Sequence, residues 1–341
     1  MKTKYLQIGP YTAIGGVSVH IKRLSELLVE HYSFSFIDES PLTATNREVY
    51  NLREINIFEY IRLVNNTQII HIHSGIWWLR CLHILVGFLF RKKTIVTIHS
   101  LSNLRTGFAV IITRFFLLAA SKIVVVNKDI SRKLKNKKSS VVHAFIPPNI
   151  ENEKNLPKEV FDILEQNRHK KIIVNNAFKL VLHNNEDLYG LDLMIDVARA
   201  VKTEKKNYKI IFVVASKEEK LNLFEQYTRI IKEEGLNEII SLIPYPLSFV
   251  NLMIESDLVI RSTNTDGDAL TVREAIYLNR PVIASDVISR PKGTILFQNR
   301  NSENLFIKIK DTLNQQKQTN SKTQTNNRNA IIEQYMSLIS K

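Results

Sequence analysis

Thiols are almost absent from this chain: Cys81 is its single cysteine. An internal disulfide is excluded, and a reducing compartment is the expected setting. No run of about 20 apolar residues occurs, so a membrane-spanning helix is not expected. The N-terminal apolar run before Gly9 is about four residues long, too short for a secretory signal and suited to a first strand. Gly-x-Gly-x-x-Gly is missing, which excludes the dinucleotide fingerprint. Acidic residues are scarce in the first half: residues 1–150 hold 20 Lys and Arg against 8 Asp and Glu, most of the net +14. Such an asymmetry implies an anionic partner, either a phospholipid surface, a pyrophosphate-linked substrate or nucleic acid. Nucleic acid is set aside, because no basic module interleaved with aromatics is recognisable.

What is present is an ordinary globular composition, 44% hydrophobic and 23% charged over 341 residues, and that length predicts two domains. Continuous apolar or β-branched runs predict strands near 4–9, 33–37, 68–73, 93–98, 122–127 and 140–145, with helical patterns between them. Runs such as Ile95–Ile98 and Ile123–Val126 lack polar alternation, as expected when both faces of a parallel sheet are covered. After Pro147-Pro148 the chain turns polar, and a second alternation follows. Its strands are expected near 171–175, 179–183, 209–215, 239–243, 257–261 and 281–284, its helices near 190–202, 217–234, 246–255 and 270–278. The reading is α/β: an N-terminal Rossmann-like domain over 1–150, a linker over 151–169 and a second Rossmann-like domain over 170–315. A polar segment with a last helix at Ala330–Ile339 completes it over 316–341. The cleft between the domains is the default ligand site.

Ligands of doubly wound sheets bind beyond the C-terminal strand ends. In the first half those ends carry His71-Ile72-His73-Ser74, Thr97-Ile98-His99-Ser100 and Val126-Asn127-Lys128. A lone histidine on a strand is as readily a satisfied structural residue, but two His-Ser pairs at successive ends point to a site. No cysteine or carboxylate stands at ligand spacing from them, so zinc is not expected. Gly15-Gly16, between the first strand and its helix, reads either as a plain tight turn or as a place of close backbone approach to a ligand. In the second half Arg261 ends an apolar run and leads into Asp266-Gly267-Asp268-Ala269-Leu270-Thr271, where a helix begins and offers unpaired N–H groups to a phosphate. Asp266 and Glu274 stand eight residues apart. Asp266-Gly267-Asp268 also reads as an Asp-x-Asp loop suited to Mg²⁺ or Mn²⁺.

The stretch from Asp266 to Asp286 resembles the acidic signature of GT-B-fold retaining glycosyltransferases of family 4 (glycosyl transferases group 1), of the bacterial surface-polysaccharide type. That signature is Glu, seven residues, Glu, with Gly-Phe-Gly-Leu between. Here Asp266 holds the first position and the middle reads Gly267-Asp268-Ala269-Leu270, while Glu274-Ala275, Pro281-Val282 and Ala284-Ser285-Asp286 match. Gly15-Gly16 resembles the family's Gly-Gly loop, and Gly190 its donor-loop glycine.

The resemblance implies a GT-B fold, two doubly wound domains facing across a cleft, and a hexosyltransferase. A sugar would move from a nucleotide-sugar, UDP-sugar first, to a glycan or lipid-pyrophosphate-linked hydroxyl with retained configuration. His99 would hydrogen-bond the transferred sugar, with His73 lining the cleft beside it and Gly15 on the acceptor side. Gly16 would lie by the donor phosphates. Asp266 would contact sugar hydroxyls and Glu274 the ribose. The family places a Lys just before the equivalent of Gly190 to grip the diphosphate. Here Tyr189 stands there, so Lys179, Arg261 and the backbone of Gly267, Asp268, Ala269, Leu270 and Thr271 are expected to share the diphosphate. No metal and no cofactor beyond the nucleotide-sugar co-substrate is expected. A sugar-nucleotide epimerase or phosphorylase, or a non-catalytic sugar-nucleotide-binding scaffold, are the alternatives.

Two further stretches, Cys81–Phe90 followed by Arg91-Lys92-Lys93, and Gly107–Ala120, are apolar but too short or interrupted to span a bilayer. They read as buried helices, or as Trp77, Trp78, Phe88 and Phe90 resting with the basic residues on an anionic membrane. The expected location is cytoplasmic, with the inner face of the plasma membrane as the peripheral option.

Overall fold

The computed structural model describes residues 2–13, 15–41, 48–100, 107–126, 128–134, 139–142, 145–217, 222–266, 269–315 and 325–340. The chain forms two units, one of Met1–Ile146 with Asn326–Lys341, the other of Pro147–Thr325.

The first unit runs β1 (Thr3–Gly9), α1 (Gly16–Leu28), β2 (Tyr32–Asp38), β3 (Val49–Asn51), α2 (Ile57–Asn65), β4 (Ile69–Ile72), α3 (Trp77–Leu89), β5 (Lys93–Ile98), α4 (Gly107–Leu117), β6 (Lys122–Val125), α5 (Lys128–Leu134) and β7 (Ser139–Val141). Its sheet is all parallel in the order β3-β2-β1-β4-β5-β6-β7. The apolar runs form its middle because both faces are covered: Leu6, Ile8, Ile72, Val96 and Val125 have no exposed surface. Helix α1 turns Ile21, Leu24 and Leu28 inward at helical spacing. Helix α2 begins where the Asn56 side chain accepts from Glu59 N–H, satisfying one of the orphan donors of its first turn. Successive strands lie to opposite sides of β1 and β4, so the strand order reverses between them. That is where such sheets hold ligands.

The second unit runs α6 (Lys158–Gln166), β8 (Lys171–Ala177), β9 (Leu182–His183), β10 (Glu186–Asp187), α7 (Leu191–Thr203), β11 (Tyr208–Val214), α8 (Leu223–Glu233), β12 (Ile240–Ile243), α9 (Phe249–Ile254), β13 (Leu258–Arg261), α10 (Leu270–Tyr277), β14 (Val282–Ser285), β15 (Ile295–Phe297) and α11 (Ser302–Gln315). Its parallel sheet has the order β12-β11-β8-β13-β14-β15, reversing between β8 and β13. Within 151–169 lie a 3₁₀ turn at Ile150–Asn152 and α6, whose Val160 and Leu164 pack against Ile172, Val174 and Val259.

The strand expected near 179–183 is not part of this sheet. Asn184 and Asn185 both adopt left-handed backbone, φ 53° and 63°, and fold β9 and β10 into a two-residue hairpin. The edge strands β3 and β15 were not anticipated, since three residues are too few to show a period. The last helix, α12 (Thr325–Ser340), belongs to the first unit. There Tyr335 and Ile339 pack with Tyr5, Leu24, Leu28 and Ile69, and Lys93 Nζ donates to the Ile339 carbonyl. Burying Ile339 alone is worth roughly 1.5–3 kcal/mol.

Candidate functional site

The crevice of the second unit opens where β8 and β13 end. From β8, Asn175 Nδ2 donates to Ser262 Oγ at 2.8 Å, and Ser262 Oγ donates to the Tyr189 carbonyl at 2.8 Å. These bonds draw the loop before α7 onto the end of β13. Gly190 takes φ +71° there, and a Cβ on it would stand 2.5 Å from the Ser262 carbonyl oxygen, so only glycine fits. Asp187 fixes the turn by accepting from the N–H groups of Tyr189 (2.8 Å) and Gly190 (3.1 Å). Burial, with Asp192 adding to it, pushes the Asp187 carboxyl up. Asn264 ties the hairpin to the same place, its N–H donating to the Leu188 carbonyl at 3.0 Å.

Beyond β13 the charges converge. Arg261 grips Asp266 with both prongs, Nε to Oδ2 and Nη2 to Oδ1, each at 3.1 Å. Arg290, from the segment after β14, donates Nη1 to Asp266 Oδ2 at 2.8 Å while its Nε holds the Ser285 carbonyl at 3.1 Å. Thr263 Oγ1 adds a 3.0 Å bond. Burial alone would raise the Asp266 carboxyl, but Arg261 and Arg290 outweigh it and hold it below the usual carboxylate range. Among the described residues, Arg261 and Arg290 share the one carboxylate of Asp266. Arg261 also lies over the Tyr189 ring, 5.5 Å from its centroid, a cation–π contact. The expectation that Asp266 reaches out to sugar hydroxyls does not match this arrangement, because its side chain is 8% exposed and committed to two arginines.

Glu274 is buried on α10, about one turn past the start of the helix, and Thr271 Oγ1 there contacts Asn176 Oδ1 at 3.4 Å. Ala269 is the N-cap residue and Leu270 the first helical one. Lys179 follows β8, half-buried, with no ion pair among the described residues. Gly267 and Asp268 lie outside the described residues.

In the first unit the crevice between β1 and β4 collects histidines. His73 follows β4, His99 follows β5, and His20 arrives from α1. His73 Nδ1 stands 3.1 Å from His99 Nε2. Gly9 makes room for this, since a Cβ on it would come within 2.9 Å of the His73 Cβ. Burial, reinforced by the neighbouring imidazoles, holds His73 and His99 well below the ordinary histidine value. His71 is a structural residue, bonded to Tyr5 Oη at 2.8 Å and Thr97 Oγ1 at 2.7 Å. Gly15 and Gly16 are exposed, with no described atom within 4 Å of a built Cβ.

Tyr189, Gly190, Arg261 and Asp266 thus come together where the strand order of the second unit reverses, with Lys179 just past the end of β8, and His73 and His99 meet in the first unit. The sequence reading did not single out His20, Asp187, Ser262 or Arg290. Only Asp187 had a local signal, an Asp two residues before a turn.

Two open, all-parallel, doubly wound sheets of seven and six strands make this a GT-B fold. No family model matches the chain, and no curated protein matches it significantly. Solved structures do resemble it. A glycosyltransferase from Rickettsia africae superposes with TM-score 0.67 at 15% identity, covering 100% of this chain and 99% of that one. HepE from Anabaena, in complex with UDP and glucose, gives TM-score 0.65 at 13% identity over 99% and 96%. A putative UDP-N-acetylglucosamine 2-epimerase from Listeria monocytogenes gives 0.62 at 16% over 100% and 97%.

Proposed function

We propose that the chain is a retaining glycosyltransferase that moves a sugar from a nucleotide-sugar to a hydroxyl of a glycan or lipid-linked acceptor. The observation that carries this reading is the pair of arginines on Asp266, placed beside Tyr189-Gly190 where the strand order of the second unit reverses. In the reaction the bond from the anomeric carbon to the leaving diphosphate breaks. A bond to the acceptor oxygen forms on the same face, and the acceptor proton passes to the leaving phosphate. Negative charge grows on the diphosphate, so fixed cations and N–H groups there lower the barrier.

Arg261 supplies that charge, with Asp266 and Arg290 holding it in place and Lys179 as a second cation. The amides of Ala269, Leu270 and Thr271 at the start of α10 add N–H donors. Glu274 accepts from the ribose hydroxyls, His99 bonds the transferred sugar beside His73, and Gly15-Gly16 lets ligand approach the backbone. The solved HepE structures hold UDP, UDP with glucose, and UDP-glucose, which makes a UDP-sugar the first donor to try. A thermal-shift screen with UDP-, GDP-, ADP- and CMP-sugars tests this: one class should raise the melting temperature, and no shift with any of them would sink the reading.

Epimerisation is the second reading, favoured by the resemblance to the Listeria protein. Incubating the donor without acceptor separates the two, because an epimerase alters the sugar nucleotide alone.

The acceptor reading draws on the surface of the first unit. Helix α3 buries Leu79, Cys81 and Ile84 but leaves Trp78, Leu82, Phe88 and Leu89 exposed, with Trp77 and Phe90 half-buried. Helix α4 exposes Phe108, Ile111 and Phe115, and Leu118 follows just past its end, at 61% to 70%. Exposed apolar residues on neighbouring helices, in the basic half of the chain, suit a peripheral site on an anionic membrane, where a lipid-linked acceptor of surface-polysaccharide synthesis would lie. Among the described residues no helix is long and apolar enough to cross a membrane. Flotation with anionic against neutral vesicles checks this, and equal failure to bind either would count against it.

A further inference from the structure

Nine histidines are present in the chain, and four of them, His20, His71, His73 and His99, crowd the C-terminal edge of the first sheet. His71 has both ring nitrogens committed, to Tyr5 and Thr97. The other three differ. The ring centroids of His20 and His99 are 4.8 Å apart, those of His20 and His73 5.4 Å, and those of His73 and His99 5.5 Å. One nitrogen from each ring lies within 4.8 Å of the others. We propose that His20, His73 and His99 form a site for a single first-row transition-metal dication of the Zn²⁺ class, with three imidazole ligands and the fourth position open.

Two arguments support the site. The first is distance: Zn–N bonds of about 2.0–2.1 Å put the nitrogens of a tetrahedral shell roughly 3.4 Å apart. His73 Nδ1 and His99 Nε2 already stand at 3.1 Å, in a ring-to-ring hydrogen bond that the ion would replace. All three nitrogens lie within 4.8 Å of one another, so closing the shell to roughly 3.4 Å takes side-chain movement of at most about 1.4 Å. The second is chemistry: three neutral imidazoles without a thiolate are a sufficient set for zinc with one open position, and imidazole suits zinc and its neighbours in the first row.

The spacing of these residues along the chain hides the site. His20 comes from a helix and the other two from successive strand ends, so no ligand motif exists in the sequence. Gly9, which lets His73 pack close to β1, and His71, stacked on His73 at 4.0 Å between centroids, hold the middle ligand in place. An ion held by these three nitrogens would compete with a sugar hydroxyl for His99, so ion binding is a separate property of this cluster, and its test needs no donor.

Metal-free, untagged full-length protein is titrated with Co²⁺ and with Zn²⁺ by calorimetry. The Co²⁺ form is examined by visible absorption and X-ray absorption. The expected result is one ion per chain, intense bands of tetrahedral Co²⁺ and a first shell with three imidazoles. His73→Gln and His20→Gln should each weaken binding at least ~10-fold, by analogy with the 10–100-fold cost of disturbing even a ligand's support. His71→Gln should retain the ion. No stoichiometric binding, a shell with fewer than two imidazoles, or undiminished affinity in His73→Gln would overturn the site. Should the variants fail to fold, the imidazole count in the wild-type Co²⁺ form decides alone. Loss of transferase activity in any variant bears on the other proposal and leaves this readout untouched.

Discussion

Arg290 Nη1 donates to Asp266 Oδ2 at 2.8 Å, across 24 residues of sequence, on the same oxygen that Arg261 Nε reaches at 3.1 Å. One carboxylate thereby orders two guanidiniums. Arg290 is 2% exposed and anchored to Ser285, so it acts as the fixed post. Arg261, more exposed, at 14%, is the one placed to meet a ligand.

Removing the carboxylate leaves Arg290 buried and uncompensated. Asp266→Ala should lower the unfolding free energy by about 3 kcal/mol, the range for breaking a buried pair from one side. Urea denaturation measures it, and Asp266→Ala combined with Arg290→Met should recover part of the loss. A change below about 1 kcal/mol, as at exposed pairs, would show that the cluster contributes little.

Acidification tests the same cluster by another route. The folded Asp266 carboxyl lies below its ordinary value of about 3.9. Its contribution is complete above that value and disappears as pH falls through the lower folded one. Wild-type protein should therefore lose its stability advantage over Asp266→Asn on going from about pH 5 to about pH 2. Parallel curves for the two proteins would contradict the assignment.

Glycine substitutions separate a structural glycine from a ligand-facing one. At Gly190 the backbone is left-handed and a Cβ meets the Ser262 carbonyl at 2.5 Å, a backbone atom that cannot step aside. Gly190→Ala should cost at least ~2 kcal/mol, read as a lowered thermal midpoint. At Gly16 nothing described lies within 4 Å. Gly16→Ala should change stability by no more than ~0.5 kcal/mol while reducing sugar transfer, measured by product formation.

Glu274→Gln keeps the size of the side chain and removes its charge. With the fold unchanged by circular dichroism, turnover should fall about 10²-fold, since hydrogen bonds to a charged acceptor are worth about 1.5–3 kcal/mol. Full turnover of a competent donor would remove Glu274 from the donor site.

Legibility in the sequence followed locality. Runs such as Ile95–Ile98 are visible because strands buried on both faces must be apolar throughout. The turn at Asn184-Asn185 was written in the sequence too, yet it lay inside an apolar neighbourhood that read as a strand. Tyr189-Gly190 and Arg261 to Glu274 stand out in the sequence because each is contiguous. The partners of Asp266 do not: Arg261 sits on the same strand end, whereas Arg290 comes from a segment beyond β14.

Two α/β units with parallel sheets, and the polar residue types at their strand ends, are legible in the sequence alone. Burial of apolar strands and helical spacing are local constraints, and they leave periodic traces in the chain. Only the tertiary structure decided who faces whom. It brought His20 from a helix to the histidines of two strands, and it set two arginines on one aspartate. Such meetings are fixed by strand order and packing between elements distant in sequence, and no spacing along the chain records them.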